Sequence, residues 1–241
     1  MKFSVFTPTR GRPQLLVNLI DSFWTKAGDI DNIEFLFWID DDDIETIGCY
    51  QNYLIKLPLN IKAFINPRPA SLNAAISFLA NQATGQYIFN CNDDCEMLTE
   101  NWDRKALERI NQFKLENNIK DDIIYCATND TSVDRDATKG YSSFPIISKE
   151  AVDILGFFMY PAFVGLGGDS SIFRLYNEIG RVVNCKELTL DHVYHNTIQK
   201  VCSPDRTAAE MRANTQKNYL DPFSFDISKE ANLFRGYLRN D

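Results

Sequence analysis

The chain has 241 residues, of which 44% are hydrophobic and 12% aromatic, so it is long enough to bury one substantial core, and one main domain is expected. Its formal net charge of -8 argues against a nucleic-acid-binding surface, because such surfaces neutralise phosphates with Lys and Arg. The sequence opens without a signal-peptide pattern, and no apolar run approaches the roughly 18 residues of a membrane span, which predicts a cytoplasmic protein without a transmembrane segment.

Strand and helix patterns alternate along the first half of the chain. Residues 3–6 predict a buried strand, and apolar residues then recur at helical spacing between positions 15 and 24. The same unit repeats, with strands predicted over 33–39, 61–64, 87–91 and 123–127 and helices over 44–55, 70–83 and 101–115. This alternation indicates an α/β fold built from βαβ units, with a mostly parallel, Rossmann-like sheet and helices on both faces.

The pattern weakens in the second half. A polar stretch over 128–143 predicts a loop, residues 148–155 predict a helix, and a Gly-rich segment at 165–168 precedes a helix that opens at Asp169. The C-terminal residues give no clear elements, but the aromatic residues after position 220 are expected to pack on the core. No linker is evident, so the division is functional within one structural domain: residues 1–97, 98–205 and a C-terminal extension, 206–241.

An acidic cluster directly follows the strand predicted over 87–91. Asn92, Asp93 and Asp94 would lie at the carboxyl end of that strand, where open α/β sheets bind their ligands. Clustered carboxylates there suit a hard divalent cation that carries a diphosphate. The alternative is that the two acids cap a helix beginning near Glu100, but Thr99 already suits that cap.

A second acidic run, at 40–43, follows the strand predicted over 33–39. Asp42 and Asp43 suit the N-terminus of the next helix, whose dipole favours negative charge. Asp40 and Asp41 are closer to the strand end, which would aim one of them into the ligand crevice.

The six cysteines include no CxxC pair. Cys91 and Cys95 flank the acidic cluster, which makes a zinc site conceivable, but no second Cys/His pair has suitable spacing. Without a secretion signal, an even number of cysteines is poor evidence for disulfides, and buried thiols are expected for most of them.

Four segments occur in an order that resembles one known family. They are FTPTRGRP at 6–13, IDD at 39–41, SLNAA at 71–75 and GQYIFNCNDD at 85–94. In this order and spacing they are similar to the nucleotide-diphospho-sugar glycosyltransferases of the GT-A fold, especially glycosyltransferase family 2. The resemblance covers about residues 1–205, and it implies a nucleotide-sugar-binding first half and a smaller acceptor-side portion.

The resemblance implies a donor site in the first half of the chain. The residues that would bind the nucleotide sugar are Thr7, Pro8, Thr9, Arg10, Asp40, Asp41, Arg68, Asn73, Asn92 and Asp93. The opening loop would receive the base and ribose, one acid of the pair at 40 and 41 would accept a hydrogen bond from the base, and the arginines, with Arg12, are candidate counter-charges for the diphosphate.

The resemblance also implies a metal site for Mn2+ or Mg2+. Asp94 takes the position of the last acid of the family's DxD motif, while Asn92 replaces the first acid and provides no charge. Both histidines lie in the segment 190–195, which resembles a late strand whose His approaches the metal or diphosphate. Side chains alternate on a strand, so one ligand is expected: His192, with His195, Gly167 and Gly168 as diphosphate or acceptor contacts.

Residues 165–173 resemble the acceptor-side segment in which an acid at a helix start is the general base. Asp169 takes that position, and the alternative is a helix cap without chemistry. The resemblance thus implies an inverting, hexosyltransferase-like enzyme that moves a sugar from a UDP- or GDP-type donor to a hydroxyl of a glycan or other acceptor. The other functions considered are a non-catalytic nucleotide-sugar-binding protein and a sugar-phosphate nucleotidylyltransferase.

Overall fold

Eight strands join into one sheet in the described part of the chain. The structure, a computed structural model, describes residues 2–131, 140–163, 167–192 and 220–238. The strands are β1 (Phe3–Thr9), β2 (Ile33–Asp40), β3 (Asn60–Asn66), β4 (Tyr87–Asn90), β5 (Cys95–Met97), β6 (Tyr125–Asp130), β7 (Ile146–Ser148) and β8 (Val182–His192).

Helices connect most of these strands. They are α1 (Pro13–Thr25), α2 (Ile44–Asn52), α3 (Leu72–Gln82), α4 (Trp102–Glu116), α5 (Lys149–Leu155), α6 (Gly168–Glu178) and α7 (Ser228–Leu238). Their sequences explain their orientation, as α1 illustrates: it starts with a proline at its first position and buries residues 16, 19, 20 and 23, which form one apolar stripe. In the residues described, no helix combines the length and apolar character that crossing a membrane requires.

The sheet has the strand order β3-β2-β1-β4-β7-β6-β8-β5. The first four of these strands pair in parallel, as do β6 and β8, whereas β7 is antiparallel to both β4 and β6. Two antiparallel steps restore the direction, so β6 and β8 run the same way as β1 to β4. The carboxyl ends of these six strands therefore share one edge of the sheet, which we call the carboxyl edge.

Helices cover both faces of the sheet. One apolar cluster packs α1 and α4 against the first face, where Trp102 donates a hydrogen bond from its ring nitrogen to the carbonyl of Phe23 at 3.0 Å. A second cluster packs α3, α5, α6 and α7 against the other face. Because β1 and β4 are covered on both sides, their residues are almost continuously buried. The predicted α/β fold, a mostly parallel sheet with helices on both faces, is confirmed.

Several predicted boundaries were wrong. The strand predicted over 123–127 runs over Tyr125–Asp130, so its last three residues belong to the sheet and not to the polar loop, of which residues 132–139 lie outside the described range. The short strands β5 and β7 were missed because three residues give no measurable periodicity. Helix α7 was also missed, and its Ala231 and Phe234 are buried against the second face. The functional division near residue 97 stays a prediction.

A network of hydrogen bonds surrounds the buried side chains of Ser4 and Glu34 at the opposite edge of the sheet. The Glu34 carboxylate accepts hydrogen bonds from the backbone nitrogen of Thr84 (2.6 Å) and from its hydroxyl (2.8 Å), and also from the Ser4 hydroxyl. Ser4 in turn accepts one from the backbone nitrogen of Gly85 at 2.8 Å. Every partner is provided by the fold itself, so this network fixes where β4 enters the sheet.

Replacing Gly85 with alanine is expected to lower the free energy of unfolding by about 2 kcal/mol, in the range for overpacking a buried site. The added Cβ would lie 2.6 Å from the backbone of Phe3 and Ser4, which cannot rotate away. Urea unfolding measures the effect. Gly48→Ala is the matched control: it lies within α2 with its nearest atom at 4.0 Å, and it should stabilise the protein by roughly 0.5–1 kcal/mol. An unchanged urea midpoint for Gly85→Ala would contradict this reading.

Candidate active site

The acidic cluster forms a tight turn between β4 and β5. The backbone nitrogen of Cys95 donates to the carbonyl of Asn92 at 3.1 Å, and both Asp93 and Asp94 are buried, at 6% and 7% exposure. Neither acid caps α4, which begins at Trp102 behind a left-handed Asn101. The expectation that Thr99 is the cap was wrong as well, because its hydroxyl donates to the carbonyl of Glu187 at 2.6 Å and so binds the chain to β8.

Side chains at the end of β1 and in the loop after it bind Asp93. Its carboxylate accepts a hydrogen bond from the Thr9 hydroxyl at 2.8 Å and one from the Arg12 guanidinium at 3.1 Å. Burial raises the pKa of Asp93 to about 6, although Arg12 opposes that shift. Arg12 also lies 3.6 Å from an oxygen of Asp94, so one guanidinium is within ion-pair distance of both carboxylates. Of the three candidate arginines, it is Arg12 that lies at this turn.

His192 lies between two buried carboxylates. Its Nε2 is 3.2 Å from Oδ1 of Asp94, and its Nδ1 is 3.7 Å from Oδ2 of Asp130. The ring of Phe144 packs edge-on against the imidazole, with centroids 5.1 Å apart. Burial alone would lower the pKa of His192, but the two carboxylates outweigh burial and raise it to about 9.

The donor atoms of this cluster fit a divalent cation. One ligand atom from each of Asp94, Cys95 and His192 lies within 4.8 Å of the other two. Carboxylate oxygen and imidazole nitrogen are ordinary ligands for first-row divalent metals. The structure thus brings together Asp94 and His192, the two residues assigned to the metal in the sequence analysis.

Asp40 is a further buried carboxylate at the carboxyl edge. It accepts a hydrogen bond from the ring nitrogen of Trp38 at 3.0 Å, and Arg10 and Arg68 lie 3.1 and 3.4 Å from its second oxygen. Asp41, in contrast, is exposed. Of the two acids considered for the crevice, Asp40 is therefore the one that the fold encloses.

Of the two remaining acids of that run, both expected at a helix start, Asp43 takes that role and Asp42 instead pairs with an arginine. Asp43 accepts a hydrogen bond from the backbone nitrogen of Thr46 at 3.2 Å and caps α2, while it also accepts one from Gly11 in the β1 loop at 2.6 Å. Asp42 is exposed and pairs with Arg10, which lowers the pKa of Asp42.

Helices α3 and α6 meet at their N-termini. The side-chain amide of Asn73 donates to the carbonyl of Phe163 at 2.6 Å, just before α6. A Cβ on Gly168 would lie 2.9 Å from that amide nitrogen, and Gly167 adopts a φ of +94°, which favours glycine. These contacts place the start of α6 beside the start of α3, which follows β3 at the carboxyl edge.

Asp169 lies in the first turn of α6. Its Oδ1 accepts a hydrogen bond from the backbone nitrogen of Ser170 at 2.8 Å, and its Oδ2 accepts one from the Tyr141 hydroxyl. The Tyr141 ring packs edge-on against Phe173 of the same helix, at 5.9 Å between centroids. The carboxylate is half-buried, and these two hydrogen bonds fix its orientation.

Other sequence-predicted residues have simpler surroundings. Thr7 is buried within β1, where its hydroxyl donates to the carbonyl of the half-buried Pro8 at 3.1 Å. Asn92 is half-buried in the turn. His195 lies outside the described residues, so its predicted contact with a diphosphate or an acceptor stays a prediction.

Sequence reasoning missed Asp130, Tyr141 and the place of Cys95. Asp130 carried the same signal as Asp40, an acid at the end of an apolar strand, but residues 128–130 were assigned to a loop. Tyr141 carries no local signal, because its contact with Asp169 is made by tertiary packing. Cys95 was set aside because no second Cys/His pair has suitable spacing for zinc, whereas the pairing of β5 with β8 places Cys95 opposite His192.

Comparison with known proteins identifies one family. The family model for glycosyl transferase family 2 matches residues 4–140, more than half of the chain. A search of curated proteins found no match.

Several solved structures share the fold of this chain, and three of them were determined with a nucleotide or a nucleotide sugar. A mannosyltransferase of Pyrobaculum calidifontis, PcManGT, in complex with GDP-Man and Mn2+, is 12% identical with a TM-score of 0.63, over 89% of this chain and 61% of its own. GalNAc-T7 with UDP, GalNAc and Mn2+ is 17% identical with a TM-score of 0.66, over 98% and 54%. S. aureus TarS 1-349 with UDP is 15% identical with a TM-score of 0.53, over 75% and 55%. The chain thus spans less than two thirds of the length of each.

In metal-free protein, His192 is expected to titrate with a pKa of about 9. The measurement is the pH dependence of the imidazole resonances by NMR in the presence of a chelator, with His192→Gln assigning the signal. Asp130→Asn should lower this pKa, because it removes one of the two charges that favour the imidazolium, whereas Asp191→Asn on the other side of the strand should not. A pKa near 6.5 in the wild type would contradict the geometry.

The same shift predicts how stability depends on pH. Because the pKa is higher in the folded chain than the usual 6.5, the imidazolium stabilises the metal-free fold fully below pH 6.5. That contribution is lost as the pH rises through about 9. Urea unfolding of the wild type and of His192→Gln at the two ends of this range should therefore differ most at the acid end.

Proposed function

The chain belongs to glycosyl transferase family 2, and from that membership we propose that it transfers a sugar from a nucleoside diphosphate to an acceptor hydroxyl, with the aid of a divalent metal. The observation that carries the proposal is the buried pair of acids at the turn after β4, with His192 3.2 Å from Asp94. Open α/β sheets bind ligands at this edge, and buried carboxylates there need a cation.

Asp94 and His192 would hold the metal, Mn2+ or Mg2+. A cation bound to them would stabilise the negative charge that develops on the departing diphosphate. Mn2+ is present in the structures of the mannosyltransferase and of GalNAc-T7, which supports the use of a divalent metal. Asp93 would serve the site by holding Arg12 beside the phosphates, since Arg12 bridges both acids.

The donor nucleotide would lie along the ends of β1 and β2. Asp40 is the candidate for accepting a hydrogen bond from the base, because Trp38, Arg10 and Arg68 hold its carboxylate in place and a carboxylate has about four acceptor positions. Thr7, Pro8, Thr9 and Asp41 would line the same crevice. The neighbouring structures contain GDP-Man or UDP, which supports a donor of the UDP or GDP type.

Asp169 would act as the general base towards the acceptor. Its two hydrogen bonds hold the carboxylate at the start of α6, beside the N-terminus of α3. Removing the proton from the acceptor hydroxyl as it attacks the anomeric carbon would give single displacement with inversion. Tyr141 would then control the direction in which the carboxylate points.

Replacing Asp169 with Asn tests this role. Turnover of UDP- or GDP-sugars with Mn2+ should fall by about 100- to 10,000-fold, the range for losing a general base, while affinity for the nucleotide stays unchanged. Release of the nucleoside diphosphate measures turnover. Glu178→Gln, in the last turn of the same helix, removes the same charge from an exposed position and should have no effect.

The outcomes separate two functions. A wild type that binds nucleotide but turns over none of the sugar donors, with sugar, glycan or water as acceptor, would favour a non-catalytic nucleotide-sugar-binding protein. That alternative is considered because Asn92, which carries no charge, replaces the first acid of the motif. Full activity of Asp169→Asn would retain the enzyme but assign the base elsewhere.

A further inference from the structure

The sulfur atom of Cys95 lies beside the proposed metal ligands Asp94 and His192, and the proposed function assigns it no role. We propose that Cys95 is a third protein ligand of this site, so that it forms an Asp-Cys-His centre that takes thiophilic divalent ions such as Zn2+ and Co2+ in preference to Mg2+. The inference rests on the proposed metal site of Asp94 and His192, and it names which ion that site selects.

Strand pairing places the three side chains together. β5 and β8 are antiparallel, and Cys95 is directly opposite His192 in their register. Residues directly opposite each other in an antiparallel pair project to the same face, with Cβ atoms about 4.5–5.5 Å apart. Asp94 immediately precedes Cys95 in the turn, so its carboxylate reaches the same point from the end of the strand.

The distances fit one ion. The ligand atoms of the three residues all lie within 4.8 Å of one another, and the Asp94 oxygen is 3.2 Å from Nε2 of His192. Bonds of about 2.0–2.3 Å to a tetrahedral zinc ion leave its ligands about 3–4 Å apart. Side-chain rotations that move the ligand atoms by about an ångström would therefore complete the site. One coordination position would remain for a donor phosphate or water.

The alternative is that Cys95 is an ordinary core thiol, and Cys91 shows what that looks like. Both cysteines are fully buried in the same apolar cluster, and they stand at the two ends of the acidic turn. Among the described residues, however, only Cys95 of the two belongs to the group that can hold a metal. Cys91 is thus a control that the chain itself provides.

A thiolate changes which ions bind. Cys sulfur is a soft ligand that suits zinc and cobalt, whereas Mg2+ prefers oxygen and keeps most of its water. Binding replaces the thiol proton of Cys95 and the imidazolium proton of His192, both of which are released to solvent, and forms the metal–sulfur and metal–nitrogen bonds. Zn2+ and Co2+ are accordingly expected to bind more tightly than Mn2+, in the usual order of stability for divalent metals, and Mg2+ most weakly.

The test is a titration of the full-length, chelator-stripped protein with Co2+ under reducing, oxygen-free conditions. A thiolate bound to cobalt gives a charge-transfer band in the near ultraviolet, which oxygen and nitrogen ligands do not give. We expect this band in the wild type and in Cys91→Ser, and its loss in Cys95→Ser. Zn2+ affinity, measured by competition with a chromophoric chelator, should fall at least about tenfold in Cys95→Ser. Mutating residues that only hydrogen-bond to a metal ligand already lowers affinity by about that much.

Each outcome decides the proposal. Co2+ binding without the band in the wild type, or a band that persists in Cys95→Ser and disappears in Cys91→Ser, would overturn it. Circular dichroism checks that Cys95→Ser folds. If it does not fold, the other two proteins still test the proposal, because a wild type without the band, or a band that is lost in Cys91→Ser, would overturn it. Absence of Co2+ binding would also overturn it.

The proposed function is judged separately in the same preparation. Mn2+-supported release of UDP or GDP from sugar donors reports sugar transfer, and Mn2+ affinity should change less than Zn2+ affinity in Cys95→Ser because Mn2+ favours oxygen ligands. Mn2+-dependent turnover without the cobalt band would support sugar transfer and contradict Cys95 as a metal ligand. The band without turnover would support the Asp-Cys-His centre and contradict the proposed sugar transfer.

Discussion

Two adjacent carboxylates buried in one turn are the constraint on which the rest of the structure depends. Burying a charge costs several kcal/mol unless it is paired, and Asp93 and Asp94 also repel each other. The chain brings charge and hydrogen bonds to them from both directions, with Thr9 at the end of β1, Arg12 in the loop after it and His192 at the end of β8. The parallel arrangement of these strands places all these groups at one edge, where a divalent cation would add positive charge beside the two carboxylates.

The two edges of the sheet differ in how their polar groups are satisfied. At the edge where β1 begins, Oε1 of Glu34 accepts hydrogen bonds from Ser4 and Thr84, all of them supplied by the fold. At the carboxyl edge, buried acids face cations that have more than one partner, as Arg12 does between Asp93 and Asp94. The first edge is therefore structural, whereas the second has charges that a ligand can redistribute.

The sequence predicted the parts of the site that depend on a strand and the residues immediately after it. Asp40 and Asp94 were found because an acid that follows a buried apolar run must lie at a strand end. Asp130 carries the same signal, but the predicted strand ended at residue 127, three residues before its true end at Asp130. The meeting of Cys95 with His192, and that of Tyr141 with Asp169, could not be predicted, because register and tertiary packing determine them and neither leaves a local pattern.

Calorimetric titration of UDP and GDP into the purified protein, with Mn2+ and then with a chelator, would show whether the carboxyl edge holds a metal-dependent donor site. One of the two nucleotides should bind the wild type only when Mn2+ is present, and Asp94→Asn should remove this binding because the metal loses its carboxylate ligand. Binding that is indifferent to the chelator, or binding of neither nucleotide, would contradict a metal-dependent donor site at this edge.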